Sequence, residues 1–391
     1  MPSICLCINA HQPFRLRRYT FFDINSIHDY EDREKNRLWV NKIADCCYLP
    51  ANAFLLDIIK RHKGAFGLSF CLSGVLLDQL EAYRPDVLES FAKLAATGCV
   101  EFLCETSHRS LAFAKSKREF REQVQSHRQR IQTLFGQFPS AFRVQELSFN
   151  SELAKEVERM GFSTILVDCP EQTLGWRTPN LLYLPKGCMR LKCLFRNNRL
   201  SDDLVLRFNN RDWPDYPLTP EKFVSWVRNI GTAEVVNIFA DYELFGNTQS
   251  QGAGVSDFMT RLPVEVARHG KIGFTTPSAL AADVPTADQI DIQGSSQKPT
   301  QDQCLPLWFD NNLQKDALNT LYSLETKVRR SRAPEALATW RRLQTVEHFK
   351  YMSTTLSADL DYHRFQNPYT TQHDAYINFM NVINDFSNCL E

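Results

Sequence analysis

VEFLCET at residues 100–106, SKREFREQVQSHRQRIQTLFG at 116–136 and FRVQELSFN at 142–150 are the stretch that decides the fold. The outer two are short apolar runs of strand length, and the middle one has the apolar spacing of a long amphipathic helix. A strand, a crossover helix and a second strand make a βα unit, which places neighbouring strands parallel in one sheet. The same alternation extends in both directions. Upstream lie SICLCINA (3–10), FGLSFCLSG (66–74) and the helix PDVLESFAKLAATG (85–98). Downstream come the helix SELAKEVERMG (151–161) and the strand STILVD (163–168), then LKCLFRNNRLSDD (191–203), EVVNIFADYELFG (234–246) and KIGFTTPSAL (271–280). About seven such units imply closure into a barrel, so the first 283 residues read as a (β/α)7-type parallel barrel.

Residues 284–304 lose this periodicity and gain Pro, Gly, Ser and Gln, the composition of a linker. Beyond them, NLQKDALNTLYSLETKVRR, PEALATWRRLQTVEHFKYMST and QHDAYINFMNVINDF are helical in pattern with no strand partners. Residues 305–391 therefore read as a C-terminal helical bundle beside the barrel.

Bulk composition narrows the function classes. Lys plus Arg equals Asp plus Glu, 45 against 45, so no general electrostatic attraction to nucleic acid or an anionic membrane is implied. No apolar run approaches the length of a membrane span, and MPSICLCINAHQP turns polar too early for a secretory signal, so a cytoplasmic location is expected. Of the twelve cysteines, Cys5, Cys7, Cys71 and Cys193 fall inside apolar strand-like runs, where a free thiol packs as a small hydrophobe. No CxxC…CxxC or CxxC…HxxxH spacing is present, so a structural zinc site is not expected.

In such a barrel the working residues stand at the C-terminal ends of the strands. His11-Gln12-Pro13 follows the first strand, Glu101 and Glu105 flank VEFLC, Glu146 ends FRVQE, and Asp241-Tyr242-Glu243 ends VVNIFA. A carboxylate beside an apolar strand is costly to bury without a partner, so several on one rim point to a site. Two carboxylates flanking a glycosidic bond can divide the labour, one ionised to attack and one holding a proton for the leaving oxygen. Taken singly, each acid also fits a helix cap or an ion pair. Residue types alone reach a barrel hydrolase or lyase and no further.

The ordered motifs go further. His11-Gln12-Pro13 with Arg15-Leu16, Gly98-Cys99-Val100-Glu101, Phe142-Arg143 through Glu146-Leu147, Arg199-Leu200-Ser201-Asp202-Asp203, and Asp241-Tyr242-Glu243-Leu244-Phe245-Gly246 resemble the successive conserved regions of glycoside hydrolase family 57, in its α-amylase-like branch. Leu343-Gln344-Thr345, His348-Phe349, Asn367-Pro368-Tyr369 and Ile377-Asn378-Phe379-Met380 resemble its last region and helical part. The resemblance implies a retaining mechanism on an α-1,4-glucan such as maltodextrin or glycogen, with water or a second sugar as acceptor and no catalytic metal. It implies that Glu146 is the nucleophile and Asp241 the acid/base, that His11 and Glu101 bind the central sugar, and that His348 closes the site from the helical side.

This chain departs from the pattern at Arg109, where the branch has a histidine, at Val144-Gln145 before the acid, at Glu347 in place of an aspartate, and at Lys350 in place of an aromatic. The stretch around Trp308, a candidate sugar contact, is also altered. A guanidinium beside the pocket pairs readily with a carboxylate and holds it ionised, and pairing of Arg109 with Asp241 would remove the proton donor. A glucan-binding protein with an impaired site is therefore one alternative. A metal-dependent deacetylase or mannosidase on a related barrel is another, disfavoured because position 9 is asparagine and supplies no carboxylate ahead of His11.

Overall fold

The computed structural model describes residues 2–62, 64–144, 149–168, 174–246, 252–270, 272–292, 311–354 and 367–390, with side chains omitted at 252 and 253. Among the described residues ten strands run in chain order: β1 Ser3–Ala10, β2 Leu68–Leu72, β3 Val100–Phe102, β4 Ala141–Arg143, β5 Thr164–Val167, β6 Tyr183–Pro185, β7 Lys192–Phe195, β8 Val235–Asp241, β9 Phe274–Thr275 and β10 Asp288–Ile290. One ladder orders β3-β2-β1-β8, with β9 added beside β1. The other orders β10-β6-β7-β5-β4. The two halves meet twice. Cys104, just past β3, bridges in parallel to Phe142 of β4. On the opposite side Asn197, just past β7, donates its backbone N–H to the Asn237 carbonyl of β8 (2.8 Å), while Asn237 Nδ2 donates to the Phe195 carbonyl (2.9 Å). The ring β8-β1-β2-β3-β4-β5-β7 is a seven-stranded parallel barrel with helices outside it, as the alternating pattern predicts.

Strand alternation sorts the side chains. Odd-numbered positions of β1 and β8 face inward, where Cys5, Cys7, Val235 and Phe239 meet Cys71, Leu103, Ala141, Leu166 and Leu194 in a buried central cluster. The even positions Ile4, Leu6 and Ile8 face the helices Leu49–Arg61, Gly74–Tyr83 and Pro85–Ala95. On the other flank Phe142, Ile165 and Phe195 share a core with Leu318, Trp340, Phe349 and Phe379 of the C-terminal helices. Those helices (Asn312–Ser323, Glu325–Ser331, Pro334–Leu343, Val346–Lys350 and Gln372–Asn388) thus continue the barrel's outer layer.

The helix Lys117–Phe135 fastens this flank through buried polar groups. Its Glu119 takes Arg329 Nη2 at 2.8 Å and Arg341 Nε at 2.7 Å, and its Gln123 Nε2 donates to Gln344 Oε1 at 2.8 Å. Part of the stretch expected as a linker is a strand. Asp288–Ile290 pairs with β6 and the Ile292 carbonyl accepts from Ser151 N, while 293–310 lie outside the described residues. A short apolar-polar strand such as DQIDI, flanked by turn formers, is hard to separate by composition from the linker around it. Among the described residues no helix is long and apolar enough to cross a membrane.

Candidate active site

The mouth of the barrel carries a chain of polar side chains supplied by successive strand ends. β1 and β8 pair in a register that sets Asn9 beside Asp241. Asn9 Nδ2 donates to Asp241 Oδ1 at 2.7 Å, and its Oδ1 faces Arg143 Nη1 at 3.5 Å. Arg143, at the end of β4, stands 4.0 Å from Glu105 Oε2. Glu105, past the end of β3, accepts from the thiol of Cys71 on β2 at 3.1 Å. Burial raises the Cys71 thiol well above its usual range, so it donates as S–H rather than competing as an anion. His127 supports this end of the row. Its Nε2 sits 2.7 Å from the Leu72 carbonyl, which fixes the N–H there and leaves Nδ1 to accept from the Glu105 backbone (3.4 Å).

A second layer lies above the first. His11 Nδ1 is 2.6 Å from Ser73 Oγ, and its Nε2 approaches Glu347 Oε2 to 2.9 Å, off the line of an ideal hydrogen bond. Ser73 also caps the helix Gly74–Tyr83 by accepting from Leu76 N. Gly74 is needed there, because a β-carbon would meet the Ser107 carbonyl oxygen at 2.5 Å, and that close approach carries the Ser107–Arg109 loop into the site. Arg109 is in the left-handed region (φ 50°) and buried, with Nε 3.7 Å from Glu347 Oε1. Lys350 Nζ lies 4.0 Å from the same oxygen.

Burial alone would raise the Glu347 carboxyl, but the charges of His11, Arg109 and Lys350 overcome it and hold the group well below the usual carboxylate range. The altered positions 109, 347 and 350 therefore form one set. The enlarged acid and the two added cations compensate each other, and Arg109 is directed at Glu347 while Asp241 takes the amide of Asn9.

Asp241 is half-buried, whereas its neighbour Glu243 is buried. Glu243 accepts from Gln12 Nε2 at 3.2 Å, and Gln12 Oε1 in turn accepts from Arg15 Nη2 at 3.3 Å. Desolvation and then the charge of Asp241 push the Glu243 carboxyl up to about 8, so it holds a proton at neutral pH. Burial pushes His348 down to about 4, leaving it a neutral imidazole. It packs on Phe379 with ring centroids 5.4 Å apart, and its Nε2 has no hydrogen-bond partner among the described residues.

The structure thus brings His11, Arg109, His348 and Asp241 to one mouth. Glu101 is elsewhere. It is the middle residue of β3, below the level of Asn9 and Glu105, and Ser278 donates to it from both its backbone N–H (3.0 Å) and its hydroxyl. Four residues separate it from Glu105 along the strand line, about 13 Å at 3.3 Å per residue. Glu146 and Trp308 lie outside the described residues. Reading strand ends alone passes over Asn9, Ser73 and His127. Only the odd-position alternation of β1 marks Asn9 as inward-facing, and nothing local marks the other two.

Comparison with known proteins agrees with this architecture. Residues 5–293 match the model of the family described as glycosyl hydrolase family 57. A Methanocaldococcus jannaschii protein named "Putative alpha-amylase" is 31% identical over 390 residues, covering 96% of this chain and 82% of that protein. Among solved structures, a 4-alpha-glucanotransferase from Thermococcus litoralis superposes with a TM-score of 0.67 at 14% identity, over 89% of this chain and 56% of that one. A GH57-type branching enzyme from Pyrococcus horikoshii gives 0.66 at 13% identity, over 97% and 88%. An alpha-amylase from Thermotoga maritima gives 0.63 at 12%, over 97% and 92%. These three likenesses are of fold. The family match spans the whole barrel, from the strand that carries Asn9 to just past β10, and with it the chain belongs to glycosyl hydrolase family 57.

Proposed function

We propose that the protein is an α-glucan-active glycoside hydrolase that works by a retaining mechanism, with Glu146 as nucleophile and Asp241 as acid/base. The observation that carries this reading is the position of Asp241 at the barrel mouth, half-buried, oriented by Asn9 and set beside a carboxyl that keeps its proton. Membership of family 57 and the names of its relatives support an α-glucan as substrate.

In the first step the Glu146 carboxylate attacks the anomeric carbon as the glycosidic C–O bond breaks, and Asp241 gives its proton to the departing oxygen. In the second, Asp241 takes a proton from water or from an acceptor sugar hydroxyl, whose oxygen then displaces Glu146. Neutral Glu243 spares Asp241 a second negative charge during this cycle. Ionised Glu347, with His11 and Arg109, offers acceptors and donors to the hydroxyls of the central sugar. His348, whose Nε2 has no hydrogen-bond partner among the described residues, closes the site from the helical side. Glycogen or maltodextrin are the substrates proposed.

Chemical rescue tests the two roles. With an activated glycosyl fluoride and azide, Glu146→Gly should yield the β-glycosyl azide, because azide replaces the nucleophile on its own face. Asp241→Ala should yield the α-glycosyl azide, because azide intercepts the glycosyl-enzyme. The same azide anomer from both variants would reject the assignment.

A further inference from the structure

Far from the barrel mouth, three side chains with metal-binding atoms converge on one point. His28 belongs to the loop that follows the first strand, while Asp385 and Cys389 lie one turn apart at the end of the helix Gln372–Asn388. His28 Nδ1 is 2.8 Å from Asp385 Oδ2 and 3.2 Å from Cys389 Sγ, and all three donor atoms lie within 4.8 Å of one another. Two ligands bound at about 2.0–2.3 Å to one tetrahedral ion lie about 3.3–3.8 Å apart. Sub-ångström movements of an exposed histidine and a thiol at a helix end would open that space.

The surroundings fit as well. Asp385 is fully buried, yet no lysine or arginine pairs with it among the described residues. Its Oδ1 accepts from Asn25 N (2.6 Å) and its Oδ2 from the Tyr30 hydroxyl (2.6 Å), the outer hydrogen bonds that hold a ligating carboxylate in place.

We propose that His28, Asp385 and Cys389 bind one zinc-class divalent cation, which clasps the loop after the first strand to the C-terminal helix. One imidazole nitrogen, one carboxylate oxygen and one thiolate form a mixed set that suits Zn2+ and excludes Mg2+ and Ca2+. On binding, the S–H proton leaves to solvent as the S–Zn bond forms, so the thiolate and carboxylate balance the ion's two charges. Three protein ligands leave the fourth position to water. The clasp reaches the active site mechanically, since the same helix carries Phe379, which packs on His348.

The test is titration of metal-free protein with Co2+ followed by Zn2+, on the parent, Cys389→Ser and His28→Ala. Both substitutions are at exposed side chains and should leave the fold intact. The parent should bind one Co2+ per chain with a thiolate-to-cobalt absorption band that Zn2+ abolishes and Mg2+ does not. Cys389→Ser should lose the band, and both variants should bind Zn2+ at least about ten-fold more weakly. Zinc should raise the Tm of the parent and not of the variants. Absence of the band in the parent, or equal zinc affinity in all three proteins, would overturn the proposal, the latter by assigning the binding to other thiols.

Discussion

Two glutamates on one strand line, the half-buried Glu101 at the floor of the barrel and the buried Glu105 at its mouth, have opposite surroundings. Glu101 accepts from Ser278 at the start of the helix Pro277–Asp283, in a corner where Ser140 also bonds Ser278. Burial raises its carboxyl against those hydrogen bonds. Glu105 faces a guanidinium and a thiol and belongs to a row of polar groups that ends at Asp241. Residue type and strand are the same. Position along the barrel axis, and the partners it brings, separate a capping carboxylate from one at the chemical end. This is the division between a stability face and a working face expected of parallel barrels.

The sharpest way to break the comparison is to neutralise one acid at each end. Asp241→Asn should lower kcat on a maltooligosaccharide by about 10²–10⁴-fold, the contribution of a positioned acid/base. Glu101→Gln should change kcat little and cost about 1–3 kcal/mol in denaturant unfolding, the penalty for disturbing a hydrogen-bonded group. A Glu101 variant as slow as the Asp241 variant, with stability intact, would erase the distinction between floor and mouth.

A further effect concerns the upper layer of the mouth. His11→Ala leaves the buried Glu347 without its nearest partner and should destabilise the protein by about 3–5 kcal/mol. The depressed Glu347 carboxyl adds a pH signature. A carboxyl that falls in pKa on folding contributes stability above the unfolded value near 4.5, and that stability is lost as the pH drops. The acid-side loss should therefore be shallower in His11→Ala than in the parent. Parallel Tm profiles below pH 4.5 would mean that His11 does not hold Glu347 ionised.

Glu243 should show the reverse sign. Its carboxyl rises on folding to about 8, so its contribution is full below about 4.5 and is lost as the pH climbs to 8. Glu243→Gln should flatten the decline of Tm over that window while changing Tm little at its acid end. An unchanged decline would show that Glu243 ionises normally.

Much of this was legible in the sequence, for identifiable reasons. Alternating strand and helix patterns carry the barrel because each strand buries both faces and each helix only one. The acids at strand ends stand out because a charge next to an apolar run needs an explanation, and Asp241 does lie at the mouth. Which end of a strand a carboxylate serves is another matter. VEFLCE places Glu101 and Glu105 on the same face, and only the Ser278 contact reveals that Glu101 is at the floor.

The substitutions at 109, 347 and 350 read separately as departures and make sense together only once Arg109 and Lys350 are seen approaching the same Glu347 oxygen. Asp288–Ile290 was hidden in linker-like composition, because three residues are too few to display a period. His28 and Asp385 are 357 positions apart, a distance at which no ligand spacing can be recognised.

Incubating purified protein and its Glu146→Gln variant with maltoheptaose, and separating the products, tests the central claim most directly. The account predicts that the parent converts maltoheptaose to shorter or redistributed α-linked oligosaccharides, with Asp241 and Glu146 both required, and that the variant leaves it intact. Maltoheptaose bound but unchanged by the parent would contradict it, and would make this chain a glucan-binding protein on a hydrolase barrel.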